Sequence, residues 1–350
     1  MSDQAIIEKN LWELLPKPFI GLSPMDGVTD ALFRFIMTEY GKPDLMMTEF
    51  TCVEGIAHNA LKLLRDFEYD EKERPIIAQV FGTDVESFYS TAVIVCELGF
   101  DGIDINMGCP SKNVSGRGAG AGLIRTPQLA SEIIEAVLSG VEDYSKGVIN
   151  LEKLPIKNKM KDAIRSQAIL HSPIQNRRIP VSVKTRVGYD EIIVESWISH
   201  LLQHDIKNIT LHGRTLKQMY GGFADWNAIG RAAKLAHQAG KFLTGNGDVQ
   251  SRSDALEKVR IYGVDGVLIG RASFGNPWIF EDHEPTLKER IELAIYHCAE
   301  FEKRFGTEHF FVMRKHLGWY IKGHPNAKEV RTQLMLANST QEVRDLLDFN

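Results

Sequence analysis

Several features that mark common function classes are missing from this chain. Its 350 residues hold four cysteines, Cys52, Cys96, Cys109 and Cys298, widely spaced and without a CxxC pair. That spacing argues against a disulfide scaffold and against a zinc site. The histidines form no HExxH or comparable ligand pair, so no metal is expected. No apolar run is long enough to span a bilayer. The segment Met1–Pro16 carries Asp3, Glu8 and Glu13 and lacks the apolar core of a secretion signal. A cytoplasmic location with no membrane attachment is the expectation. A formal net charge of −5 gives no overall attraction for nucleic acid, although a total can conceal a basic face.

What is there has the composition of a globular protein, with room for one α/β domain of roughly 200–250 residues and a smaller second one. Eight β-prone runs recur, at Phe19–Ser23, Leu45–Glu49, Ile76–Phe81, Gly102–Asn106, Pro180–Thr185, Asn208–His212, Lys241–Gly245 and Gly263–Ile269. Helix-like segments lie between them, among them Asp30–Tyr40, Val85–Leu98, Pro127–Leu138, Glu191–His204, Trp226–Ala239 and Ser253–Tyr262. Alternating apolar strands and helices imply a parallel sheet, and eight units imply a closed (β/α)8 TIM barrel. A doubly wound open sheet is the alternative.

The C-terminal ends of these runs carry Pro24 and Met25, Glu49, Gln79, Asn106 with Cys109, Lys184 with Arg186, His212 with Arg214, Asn246 with Asp248, and Gly270 with Arg271. Reactive groups at every strand end are what a barrel active site requires. A structural barrel needs one or two. Cys109 follows the break at Gly108 and is pinned by Pro110, which suits proton transfer or nucleophilic work; the plain alternative is a small buried thiol. The glycine turns Thr244-Gly-Asn-Gly-Asp248 and Ile269-Gly-Arg-Ala272 suit a phosphate cradle, with Arg271 supplying charge. Lys184 and His212 can set positive charge or donors against an electron-rich ring, while Gln79 and Asn106 can donate and accept at a heterocycle edge. Together these groups point to FMN. The run Gly116-Arg-Gly-Ala-Gly-Ala-Gly122 reads as a flexible loop beside Cys109 and not as a dinucleotide fingerprint.

The ordered set Ser23-Pro-Met-Asp-Gly-Val-Thr-Asp30, Thr48-Glu-Phe50, Gln79-Val-Phe-Gly82, Asp104–Val114, Val183-Lys-Thr-Arg186, His212-Gly-Arg-Thr215, Gly245-Asn-Gly-Asp248 and Gly270-Arg-Ala272 resembles the bacterial tRNA-dihydrouridine synthases over nearly the whole chain. The resemblance implies an FMN enzyme that reduces the C5–C6 double bond of selected uridines in tRNA, with NADPH or NADH as electron source. It implies hydride transfer to C6 and a proton from Cys109 to C5. Asn106 would hold the uracil edge, Lys112 and Arg117 would meet flanking phosphates, and Arg186 and Arg214 would also face the substrate. Pro24, Met25, Asp26 and Gly27 would line the flavin ring, with Gln79, Lys184 and His212 at its pyrimidine end. Asn246, Gly247, Asp248, Gly270 and Arg271 would hold its phosphate. Ser23 departs from the alanine commoner in the family. Two rivals remain open from sequence: an FMN barrel acting on a free pyrimidine, and a tRNA-binding protein without catalysis.

The expected division is a catalytic barrel over 1–285 and a helical tRNA-binding domain over 286–350, working as a monomer. Leu287, Ile291, Ala294, Ile295, Cys298, Phe301 and Phe305 recur at helical spacing, so Cys298 is expected in a core. Further helices are expected over Val312–Lys322 and Ala327–Leu336. Arg314, Lys315, Lys322, Lys328 and Arg331 make this region locally basic. The lysine-rich stretch 139–178 is longer than the crossover expected for the family, and is expected as a solvated insertion on the outer side, with an extra RNA contact as the alternative.

Overall fold

The computed structural model describes residues 10–171, 176–281 and 283–347. Parts of the expected N-terminal segment (1–9), of the insertion (172–175) and of the second domain (348–350) lie outside the described residues. The strands are β1 Phe19–Leu22, β2 Met46–Cys52, β3 Ile76–Phe81, β4 Gly102–Met107, β5 Val181–Arg186, β6 Asn208–His212, β7 Phe242–Asn246 and β8 Gly266–Ile269. All pair in parallel, in the order β1-β8-β7-β6-β5-β4-β3-β2. The ring closes where Leu22 N–H donates to Leu45 O and Asp44 N–H to Ile20 O, each at 2.9 Å. A doubly wound sheet would leave both edges open, so the structure is the closed barrel.

Side chains alternate along each strand, and the alternation sets up the site. In β4, Ile103, Ile105 and Met107 join the main apolar core, while Asp104 and Asn106 bond to polar residues of β3 and β5. The barrel floor is different. Leu11, Trp12 and Leu15 pack with Phe19, Leu45, Met47, Ile77 and Leu268 in a separate apolar cluster. Asn10 caps that entry by accepting from Trp12 N–H at 2.9 Å. An apolar plug at one end leaves the other free to be polar.

Three expectations change. Gly263 does not begin β8; it closes the helix Arg252–Tyr262 in the left-handed region (φ +67), and the strand starts at Gly266. The stretch 139–178, expected as a solvated insertion, contains helices with a buried face, because its apolar residues fall at helical spacing. The helix Pro127–Ser145 runs into it and the helix Asn158–Ala168 follows, burying Val141, Met160 and Ile164. Many of its cations are paired: Arg165 with Glu152 and Asp162, Arg177 with Asp101, Arg178 with Glu142 and Asp205. The run from Gly116 to Gly122 is packed, with Ala121 N–H donating to Cys109 O at 3.2 Å.

From Leu287 onward the described residues form α-helices, Leu287–Phe305, Arg314–Tyr320, Ala327–Leu334 and Thr340–Leu347, and a short 3-10 turn. Thr286 starts the first with a capping box: Glu289 N–H donates to Thr286 Oγ1 (3.2 Å) and Thr286 N–H to Glu289 Oε2 (2.7 Å). Cys298 is fully buried. The last helix was not expected from the sequence. This region docks on the barrel mouth, where Trp319 stacks on Phe274 (4.1 Å between centroids) and Lys315 donates to Gly27 O. No helix among the described residues is long and apolar enough to cross a membrane.

Candidate active site

A cavity of about 1220 Å³ opens at the C-terminal ends of the strands. It is lined by Pro24, Met25, Asp26, Gln79, Asn106, Cys109, Lys112, Lys184, Arg186, His212, Arg214, Asn246, Gly247, Asp248, Gly270 and Arg271. Three residues singled out from sequence do not line it, one of them Glu49, whose carboxylate accepts from Val28 N–H (3.0 Å). Gly27 (φ +70) turns the chain outside the wall, and Arg117 is exposed after the short helix Lys112–Ser115. The helical region supplies Gly318, Trp319, Lys322 and Arg331 to the same cavity.

The thiol is held by a buried relay that begins at Asp104. Gln79 Nε2 donates to Asp104 Oδ2 (2.8 Å), and Asn106 Nδ2 donates to Gln79 Oε1 (3.0 Å). Asn106 Oδ1 then accepts from Gly108 N–H (3.0 Å) and Cys109 N–H (2.9 Å). Ser182 Oγ donates to the other Asp104 oxygen at 2.6 Å. Reversing the Gln79 amide would strand two buried groups, at roughly 1–3 kcal/mol each. Each amide is therefore locked, and the remaining polar hydrogens of Gln79 Nε2 and Asn106 Nδ2 are donors. Neither Asp104 nor Ser182 was picked out from sequence. The signal was there, since each sits two residues before a selected one on the same strand face (Asn106, Lys184).

A second set of bonds fixes the loop from the other side. Arg186 Nε donates to Gly108 O (2.7 Å) and Nη1 to Thr215 O (3.1 Å), with Arg186 only 5% exposed. Arg214, also buried, donates to Gly221 O (3.3 Å), Gly222 O (2.7 Å) and the Asp248 carboxylate (2.7 Å). Asp248 also accepts from Ala224 N–H (2.8 Å) and Arg271 Nη2 (3.1 Å). A carboxylate repels phosphate, so Asp248 acts through the two guanidiniums that it aligns. These two buried arginines tie loops together as well as facing the cavity.

Charge follows from this packing. Burial pushes the Cys109 thiol up, helped by Asp26, against Ser111 N–H and the cations Arg186 and Lys184, so the thiol keeps its proton at neutral pH. Burial and Arg186 bring Lys184 down to about 8, which leaves it cationic at pH 7. Burial holds Asp104 up at about 6, against Ser182, Gln79 and Lys184. Burial and the surrounding Arg186, Lys184, Arg214 and Arg271 keep His212 well below its usual range, so its imidazole is neutral.

The residues fit a flavin phosphate on structural grounds. Gly247 has φ +122, and a Cβ there would lie 2.9 Å from the His212 ring and 2.7 Å from Ala224. A side chain would fill the cradle beside Arg271 and the neutral imidazole. Apolar Pro24, Met25 and Leu268 border one part of the cavity, and the donors of Gln79, Asn106 and Lys184 border another. No group of three or more His, Cys, Asp or Glu suited to a metal ion is found among the described residues.

Comparison with known proteins agrees with this geometry. The dihydrouridine synthase (Dus) family model matches residues 21–149 and 159–350, so within 139–178 it omits only 150–158. The "Probable tRNA-dihydrouridine synthase" of Staphylococcus aureus (strain MRSA252) is 36% identical over 351 residues, covering 98% of this chain and 96% of the relative. The "Probable tRNA-dihydrouridine synthase 2" of Bacillus subtilis (strain 168) is 36% identical over 350 residues, covering 97% and 96%. Among solved structures, morphinone reductase in complex with tetrahydroNAD aligns with a TM-score of 0.44 at 12% identity, over 76% of this chain and 85% of that one. With its barrel, its thiol-bearing cavity and a family match along nearly its whole length, the chain belongs to the dihydrouridine synthase family of flavin-dependent oxidoreductases.

Proposed function

We propose that this protein is a tRNA-dihydrouridine synthase that uses FMN and NADPH or NADH to saturate the C5–C6 bond of particular uridines. The observation that carries the reading is the protonated, half-buried Cys109 thiol in a cavity with a cationic wall and a side-chain-free cradle. Asn246, Gly247, Gly270 and Arg271 would hold the phosphate, with Asp248 aligning Arg271. Pro24, Met25, Asp26 and Gly27 would form the segment against the ring, and Gln79, Lys184 and His212 would meet its polar edge. Bound there, FMN would supply hydride chemistry, taking two electrons from the nicotinamide coenzyme and passing a hydride to C6 of uracil.

The chain's own residues do the rest. Asn106 presents an N–H to a uracil carbonyl, because its oxygen is committed to the Cys109 loop. Cys109 Sγ–H gives its proton to C5 as C6 becomes saturated, and the thiolate is reprotonated from solvent. Lys184, cationic at neutral pH, stabilises negative charge on the ring edges during transfer. Arg186 and Arg214 hold the loops in register while lining the substrate side, and Lys112 and, farther out, Arg117 would meet flanking phosphates. The target base must leave its stack to reach this depth. Barrel and helical region of one chain both line the cavity, which supports a monomer as the working unit. The test is nucleotide-resolved mapping of dihydrouridine in tRNA from cells with and without the gene. Loss at a defined position supports the reading, and an unchanged map removes it.

A further inference from the structure

In the loop between β6 and the helix Trp226–Gln238, the stretch Met219–Phe223 has no role in the chemistry above, yet it holds the most exposed large apolar side chain among the described residues. Phe223 is 88% exposed, Tyr220 68% and Met219 38%. Isolated apolar side chains on a surface need no explanation, but three within five residues at a cavity mouth do. Met219 and Tyr220 line the cavity itself. The loop is built to hold its shape. Arg214 donates to Gly221 O and Gly222 O, Thr215 N–H donates to Gln218 Oε1 (2.8 Å), and Ala224 N–H to Asp248. Its base is bonded to the neighbouring loop, with Leu216 N–H donating to Gly188 O and Lys217 N–H to Tyr189 O, each at 3.0 Å. Rigid backbone with outward rings is a presented surface.

One cation lies beside Tyr220, and another, ion-paired with Asp190, sits on the neighbouring loop. The Arg271 guanidinium lies 5.6 Å from the Tyr220 ring centroid, and that of Arg125 lies 3.6 Å over Tyr189. Lys217 is exposed on the loop itself. Aromatic faces interleaved with positive charge fit a single-stranded nucleic acid, whose bases stack while its phosphates are neutralised. Protein interfaces share the aromatics, methionine and arginine but are depleted in lysine, so exposed Lys217 on the same loop favours the nucleic acid. We infer that Phe223, with Tyr220 beside it, is a stacking platform for an RNA base next to the uridine drawn into the cavity. A flipped nucleotide leaves its neighbour without a stacking partner on one face, and an exposed ring at the mouth replaces it. This inference rests on the RNA reading above.

The test compares wild type with Phe223→Ser, Phe223→Trp and Lys217→Ala, using unmodified tRNA transcripts that the wild type reduces. Phe223→Ser should lower RNA affinity by roughly 5- to 100-fold. It should leave the slope of log affinity against log salt unchanged, because no phosphate contact is lost. Phe223→Trp should restore affinity, and Lys217→Ala, which removes an exposed loop cation, should make the slope shallower. Equal RNA affinity in Phe223→Ser and wild type would overturn the inference. So would a higher KM for the nicotinamide coenzyme with RNA binding intact, or a change of oligomeric state in that variant. If the wild type reduces no tRNA at all, it is the earlier reading that fails.

Discussion

The inner wall and the outer rim of this one cavity use positive charge in opposite ways. On the wall, Arg186 and Arg214 are buried and give their hydrogens to Gly108, Thr215, Gly221 and Gly222 carbonyls or to Asp248. On the rim, Lys112, Lys322 and Arg331 are exposed and make no ion pair among the described residues. A buried cation without a partner is too costly to keep, so charge there becomes architecture. An exposed cation costs little and stays available to phosphate. Wall substitutions should therefore change turnover and stability, whereas rim substitutions should change substrate affinity and its salt dependence.

The largest effect is expected at the thiol. Cys109→Ala should keep flavin, seen in the absorbance of the purified protein, and lose roughly 10²–10⁴-fold in kcat on tRNA. Full activity would remove the proton-donor role. Next comes pH. Lys184 loses its charge as pH rises through about 8, and Asp104 gains a proton as pH falls through about 6, which weakens its acceptance from Gln79 and Ser182. Turnover should be flat between these values and fall on both sides, about tenfold per pH unit where one group controls the rate. A profile indifferent above pH 8 would show that Lys184 need not be charged.

Asn106→Ala removes the acceptor for two backbone N–H groups and the donor to Gln79. It should destabilise the protein by about 1–3 kcal/mol in chemical unfolding and lower kcat more than affinity. A variant as stable as wild type would mean that the relay is replaceable by water. The smallest effect is expected at the rim. Lys322→Glu or Arg331→Glu should weaken tRNA binding and make the salt slope shallower by about one unit each, with kcat unchanged at saturating tRNA. A fall in kcat instead would place these residues on the wall side of the divide.

How far the sequence could be read follows the same division. Strand ends were legible because strictly alternating apolar runs break at Gly, Pro or charged residues, as at Gly108 after β4. The cavity list was legible because a barrel sends those ends to one face. The relay was not. Whether Asn106 offers an oxygen or an N–H depends on Asp104 and Gln79 on two strands, a pairing set by register and invisible in spacing. The helices in 139–178 were missed because lysines mask a sparse apolar stripe at Met160, Ile164 and Ala168. Of the basic residues in the helical region, Arg314 caps Ala337 O and Lys315 reaches Gly27 O, so only the structure separates structural cations from rim cations.

Reconstitution tests the central claim most directly. Purified protein loaded with FMN is incubated with NADPH and an unmodified tRNA transcript, and the RNA is digested and weighed by mass spectrometry. One or a few uridines should gain the mass of two hydrogens, at fixed positions and only with both coenzymes present. A transcript unchanged in mass, with NADPH consumed and flavin turning over, would contradict tRNA as the substrate.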